Sequence, residues 1–296
     1  GGTKVGWGIV EAGDTYEVTQ RGSIPTDAMR GGVDVAARIC DLASSLVASH
    51  PQVAGVAVAS AGVVDPSTGD IVSATGTMPG WGGTPLGVRL QEATGLKVRV
   101  LNDVHAHGLG EATLGAGQPY RTVLSIAVGT GIGGALVEDH QVSFGSRGIA
   151  GHVGHIHHHF APDMTSSCGR KGHIESFCSG SGITAWYDSL RSESDPEVDG
   201  GRALQELAQS GNALAAACFS RSAFALGEAT ASLVNCVDPA VVMSGSMTRS
   251  GDIWWDALRE GFAASAMTPV ADTPILVGSL GGDAPLLGAV SFFLHA

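Results

Sequence analysis

The sequence predicts an α/β protein built from two similar halves. Three observations carry that expectation. Short apolar runs of strand length alternate with longer segments whose apolar residues recur at helical spacing. Each half opens on a glycine-threonine turn beside a strand, "GGTK" at Gly1 to Lys4 and "GTGIGG" at Gly129 to Gly134. An apolar strand, "VRVL", runs directly into Asn102-Asp103, and in α/β folds the carboxyl ends of strands line the ligand crevice.

Taken in order, residues 1–10 read as a glycine turn entering a strand, as in the second half of a hairpin. Residues 36–49 place Ile39, Leu42, Leu46 and Val47 at helical spacing. Residues 53–58 form the continuous apolar run of a buried strand. Residues 86–94 read as a helix closed by Gly95. Residues 98–101 are a second buried strand, and a helix begins within 108–114. The second half repeats the scheme with a strand at 122–128, the glycine turn, and a strand over "ALVE". Residues 203–234 read as one long helix. A strand at 241–243 enters "SGSM", 253–264 is helical, 275–277 is a short strand, and 284–294 is a closing helix. No Pro/Ser-rich linker separates the halves. The boundary is expected between 103 and 117 and is drawn after 106. That gives a small lobe of 1–106, completed by a helix at about 284–296, and a large lobe of 107–283.

Composition narrows the function. Acidic residues outnumber basic ones 28 to 16, for a net charge of −12, and no basic run marks a nucleic-acid face. No apolar stretch has membrane-spanning length, and the start does not resemble a signal peptide. Five widely spaced cysteines do not make a disulfide framework and fit a reducing cytoplasm. The chain opens on Gly-Gly without Met, so upstream residues are expected, and a DNA-binding domain there is the one route to a nucleic-acid partner.

Glycine turns with a threonine can hold phosphate, because backbone N–H groups approach the oxygens and the hydroxyl adds a donor. Each can equally be a plain hairpin connection. "GTGIGG" lacks the Lys-Ser/Thr ending of a Walker loop, and the strand that follows at once is a poor match to a dinucleotide fingerprint. Asp103 at a strand end can accept a proton from a hydroxyl that attacks phosphorus, and Asn102 can bond a neighbouring hydroxyl. Either residue can instead cap a helix.

Together these segments resemble the ROK family of sugar kinases and repressors, within the hexokinase–actin–Hsp70 superfamily, over nearly the whole chain. "GGTK" is similar to the end of the family's first phosphate loop and "GTGIGG" to its second. "MPGWGGTPL" from Met78 resembles its sugar-side segment, and "LNDVHAHGLGEATLGAG" from Leu101 its catalytic segment. "VDPAVVMSGSM" from Val237 resembles its adenosine-side turn, and "SLGGDAPLLGA" from Ser279 its closing helix. The resemblance implies a two-lobed actin/ribonuclease-H-like (hexokinase-type) α/β fold with a cleft between the lobes. It implies a cytoplasmic homodimer that transfers phosphate from ATP, with Mg²⁺, to the 6-hydroxyl of a hexose or N-acylhexosamine. Asp103 would be the general base. Asn102, Thr77, His152, His155 and Glu175 would contact sugar. Gly2, Thr3, Lys4, Gly129, Thr130, Gly131, Gly245 and Ser246 would contact ATP. A sugar-responsive regulator of the same family, or a weakly active sugar-binding protein, is the alternative.

The chain departs from the family at a histidine-rich loop. "AGHVGHIHHHF" holds five histidines between His152 and His159. The family has Gly-Glu-x-Gly-His here, followed by Cys-x-Cys-Gly-x-x-Gly-Cys-x-Glu, and binds a structural zinc through the His and three Cys. Here "GHVGH" and "SSCGRKGHIE" put His152 at the first Glu, Ser166 at the first Cys, and His173 at the third Cys. His155, Cys168 and His173 then supply three zinc ligands, and structural zinc takes four. A fourth is sought among His157, His158, His159 and Cys178. The metal-free alternative leaves His152 and His155 to sugar hydroxyls or to each other, and His157 to His159 to solvent. His152 in place of a carboxylate should shift sugar preference, since a neutral imidazole offers one acceptor and one donor.

Overall fold

The structure, a computed structural model, describes residues 3–13 and 15–295. Of the expected site residues, Gly2 lies outside them. The chain forms two compact units. The first comprises Gly1–Gln118, Ala135–Gly151 and Ser279–Ala296, and the second Pro119–Gly134 and His152–Gly278.

In the first unit, β1 (Lys4–Ala12) and β2 (Tyr16–Pro25) form an antiparallel hairpin with an irregularity at Ile9/Val10. In that hairpin Ala12 pairs with Tyr16, and Lys4 of "GGTK" is the first residue of β1. Helix α1 (Gly32–Ser49) begins four residues before the expected segment. Strand β3 (Gly55–Ser60) is followed by a short antiparallel pair, β4 (Val63–Val64) and β5 (Ile71–Ser73). Helix α2 (Leu86–Thr94) ends at Gly95, whose N–H bonds the Gln91 carbonyl. Strand β6 (Lys97–Asn102) pairs in parallel with β3, Gly55 opposite Lys97 and Ser60 opposite Asn102. Ile71, Trp81, Leu86, Leu90 and Val100 are buried in this unit's core.

Helix α3 (Asp103–Leu114) starts directly after the last residue of β6, five residues before the helix expected within 108–114. Asn102 makes the early start possible, because its Oδ1 accepts the N–H groups of Val104 and His105, two donors a helix start leaves open.

Strand β7 (Thr122–Val128) opens the second unit. Strand β8 (Ile132–Glu138) and β9 (Gln141–Val142) form a hairpin, and the chain passes from the second unit to the first within β8. Past the histidine loop come α4 (Glu175–Cys178), α5 (Gly180–Leu190), α6 (Gly200–Gln209) and α7 (Ala213–Val237). The single helix expected over 203–234 is therefore two. Gly211 adopts φ 96°, a conformation that ends a helix, and Asn212 caps the next one by accepting the Ala215 N–H. Strand β10 (Ala240–Ser244) lies between β7 and β11 (Ile275–Val277), parallel to both, and every residue of β10 is buried. That burial explains its continuous apolar run. Helix α8 (Asp252–Ser265) packs along α7.

Helix α9 (Ala284–His295) belongs to the first unit and lies against α3. A Cβ on Gly288 would overlap the Ala106 carbonyl oxygen, and one on Gly110 the Ala284 carbonyl oxygen, so both helices need glycine at the contact. The fully buried Glu111 completes it: Oε2 accepts the Ala116 and Ser279 N–H groups and Oε1 the Leu280 N–H. This packing holds all of α3 in the first unit, whose first segment ends at Gln118.

Candidate functional site

The first unit brings the Asn102-Asp103 and Met78–Trp81 segments to one loop. Asn102 Nδ2 donates to the Gly62 carbonyl at 2.8 Å and to Asp103 Oδ1 at 3.3 Å. The buried Trp81 donates its Nε1–H to the adjacent Ala61 carbonyl at 3.0 Å. Asn102 is therefore both a helix cap and a tether for the strand-end loop. Asp103 is half-buried, and its Oδ1 accepts the Val104 N–H at 2.9 Å. A carboxylate in the first turn of a helix is favoured by the helix dipole, so the aspartate is held in place at the carboxyl end of a buried parallel strand. Thr77 is exposed and its hydroxyl lies 3.0 Å from that of Thr75. Thr3 and Lys4 are exposed at the start of β1, with the Thr3 carbonyl fixed by the Thr26 N–H.

His105 was not foreseen. It is 1% exposed, its Nε2 lies 2.8 Å from the Ala150 carbonyl, and its ring meets Phe144 edge-on. It anchors the segment that enters the histidine loop. The one available signal was "HAH" directly after Asn102-Asp103.

In the second unit, a pocket of about 930 Å³ opens at the carboxyl ends of β7 and β10. Gly129 and Thr130 line one side and Ser246 with Met247 another. The turn is braced from α5: the Gly180 N–H donates to Gly129 O at 2.7 Å, and the Ser181 hydroxyl to Thr130 O at 2.6 Å. Gly245 has φ 93°, and a Cβ there would strike the Val128 carbonyl, so the β10 turn needs glycine to lie against β7. Asp188, Arg202, Gln205, Glu206 and Arg249 supply polar groups around the mouth. None was expected from the sequence, since exposed polar residues such as Asp188 on α5 and Arg202 and Glu206 on α6 look like ordinary solvated faces.

The histidine loop and the cysteine turn form a knuckle. His155 Nδ1 lies 3.3 Å from His173 Nδ1, and Cys168 Sγ lies 3.4 Å from the same nitrogen. Ser166 Oγ is 2.9 Å from His173 Nδ1 and 3.2 Å from Cys168 Sγ. His155, Cys168 and His173 thus bring their ligand atoms within 4.8 Å of one another, and those to His173 Nδ1 lie close to the roughly 3.3 Å edge of a tetrahedral zinc–nitrogen site. Loss of solvent around the His173 ring, reinforced by His155, holds its pKa below the usual value. That favours the neutral imidazole a metal needs. Of the other fourth-ligand candidates, Cys178 is buried and bonds the Ser222 carbonyl, His158 and His159 group with Glu228, and His157 is exposed. The His152 ring stacks near that of His155, centroids 6.4 Å apart.

Glu175 is buried, and both its oxygens are engaged. Oε2 accepts the Ile132 N–H at 3.0 Å, and Oε1 accepts the N–H and the hydroxyl of Ser167. It thus ties the cysteine turn to the residue that follows Gly131 in the glycine-threonine turn.

Comparison with known proteins adds the context. A family model described as ROK family matches residues 1–296. A glucokinase of Halalkalibacterium halodurans is 29% identical over 92% of this chain and 87% of its own length. An N-acetylmannosamine kinase of Haemophilus influenzae is 30% identical over 98% of this chain and 91% of its own. The crystal structure of a ROK family glucokinase from Streptomyces griseus, in complex with glucose and AMPPNP, superposes with a TM-score of 0.79 at 26% identity, covering 98% of this chain and 95% of that one.

Proposed function

The chain belongs to the ROK family, and from that premise we propose that it is an ATP-dependent sugar kinase that phosphorylates a hexose or N-acylhexosamine at the 6-hydroxyl. The observation that carries this reading is Asp103, fixed at the end of β6 beside the Asn102 that caps its helix. As the sugar hydroxyl attacks the terminal phosphorus, Asp103 accepts its proton and ADP departs. Asn102 and Thr77 orient neighbouring hydroxyls, and such positioning lowers the barrier by holding the reactants in register.

The second-unit pocket holds the nucleotide. Gly129, Thr130 and Gly131 present the turn to its phosphates, and Gly245 and Ser246 lie toward the nucleoside. Thr3 and Lys4, with Gly2, serve the phosphates from the first unit. Mg²⁺ bound with ATP neutralises charge on the phosphates. His155, Cys168 and His173 would hold Zn²⁺, with water in the fourth position, and the metal would fix the knuckle. His152 and His155 contact the sugar. Glu175 acts chiefly as the link between knuckle and turn, and the remaining lone pairs on its oxygens can accept sugar hydroxyls.

The test is sugar-dependent ADP release across glucose, mannose, N-acetylglucosamine and N-acetylmannosamine. Turnover with at least one is expected. A folded wild-type chain that releases no ADP with any of them would defeat the kinase reading and leave a sugar-responsive regulator or binding protein. His152→Glu is expected to change the ratio of kcat/KM between glucose and the N-acetyl sugars, and an unchanged ratio would remove His152 from the specificity set.

A further inference from the structure

The knuckle does not use His158 and His159. They meet the middle of α7 instead. Oε2 of Glu228 is enclosed and has no hydrogen-bond partner, an arrangement that is costly for a carboxylate oxygen. The group facing it is His158 Nε2 at 3.6 Å, too far for a hydrogen bond. His158 is 8% exposed. His158 opens a turn that the Ala161 N–H closes on the His158 carbonyl, and in that turn the His159 ring stacks on that of His158, centroids 4.5 Å apart and planes 29° from parallel. One ligand atom from each of His158, His159 and Glu228 therefore falls within 4.8 Å of the other two.

From this geometry we infer that His158, His159 and Glu228 form a second metal site, taking a divalent transition metal of the Zn²⁺ class and fastening the histidine loop to α7. Two imidazoles and one carboxylate suit such ions and leave a position for water. The ligand atoms must draw in to about 3.3 Å, a movement that the exposed His159 side chain can supply. The ion would also meet the unpartnered Glu228 oxygen. The site shares no ligand with the knuckle, so the loop is pinned at His155 by one metal and at His158-His159 by another. Arg221, two turns before Glu228 on α7, lies over the Phe160 ring at 4.9 Å and is the nearest competing cation on that helix. The rival arrangement is metal-free. In it the Phe160 N–H donates to His158 Nδ1 over a long 3.4 Å, which places the ring proton on Nε2, facing Glu228.

Co²⁺ is the probe, measured by equilibrium dialysis with metal analysis on the whole chain. The double variant Cys168→Ser/His173→Ala silences the knuckle. It is expected to keep one Co²⁺ per chain. Adding His159→Ala or Glu228→Gln is expected to weaken that binding by more than the roughly 10–100-fold that loss of an outer-shell partner costs. His159 is exposed, so its variant keeps the test decisive if Glu228→Gln does not fold; circular dichroism checks both. No Co²⁺ on the double variant at concentrations that load the wild type, or binding that survives either further substitution in a folded chain, overturns the site.

Discussion

Substitution of Glu175 tests whether the knuckle is mechanically tied to the glycine-threonine turn. In Glu175→Ala the Ile132 N–H loses its partner at a residue 5% exposed, and an unmet buried donor costs about 1–3 kcal/mol. Ser167 is exposed, so water replaces its two bonds at little cost. With a small term for the space left behind, the expected loss is about 2–3 kcal/mol. In Glu175→Gln the amide oxygen can keep the Ile132 N–H while its NH₂ donates to Ser167 Oγ. One bond to an exposed group is then lost, for roughly 1 kcal/mol or less. The Ala variant should therefore unfold at clearly lower urea than the Gln variant, with an unchanged denaturant slope. Because Ile132 follows Gly131 in the turn, KM for ATP should rise more than KM for sugar. Its ceiling is the roughly 150-fold that 3 kcal/mol represents. An Ala variant with the wild-type urea midpoint and wild-type KM for ATP, or one indistinguishable from Gln, would refute the link.

Other substitutions probe the first unit. Asp103→Asn should lower kcat by about 10²–10⁴-fold while leaving the melting temperature near that of the wild type; a kcat within twofold would remove Asp103 as the base. Gly288→Ala forces α9 away from the Ala106 carbonyl and should cost about 1–3 kcal/mol in urea unfolding, whereas a neutral result would mean that the helices can separate freely. Burial holds His107 below the usual imidazole range, against the opposing pull of Glu111 one turn along. The unfolded chain then binds the proton more readily, so this contribution is present above pH 6.5 and is lost as the pH falls toward the lower folded value. His107→Gln should flatten the fall of melting temperature below about pH 6.5, and an equally steep fall would assign the effect to other groups.

The long-periodic elements and the strand-end carboxylate were legible in the sequence because their signals are local. Asn102-Asp103 stands where the apolar run of β6 stops, and Gly95 closes α2 as read. Strand β2 keeps a half-buried face at Tyr16, Val18, Gly22 and Ile24, but the exposed polar residues Thr19, Gln20 and Arg21 interrupt the alternation, so the pattern is too short to read as a strand. The two early or broken helices turned on caps: Asn102 brings α3 forward, and Gly211-Asn212 splits 203–234. In the knuckle, the convergence of His155, Cys168 and His173 follows the spacing, whereas the place of Ser166 among them depends on the turn that bonds its N–H to the Arg170 carbonyl. The bonds of Glu175 to Ile132 and of Glu111 to Ser279 join residues 43 and 168 positions apart. No local pattern announces such pairs.

The clasp of Glu111 and the glycine contact between α3 and α9 also set an order of assembly. The first unit draws on Ser279–Ala296, which follow everything else in the described chain. During synthesis from the N-terminus, α3 therefore emerges with its glycine face and the Glu111 carboxylate lacking their partners. The second unit has all its residues once Gly278 is out. Domains tend to fold as units as they emerge, so the later-starting unit can finish first, and the earlier one closes only when α9 docks. Until then, the face of α3 that α9 covers is without its partner.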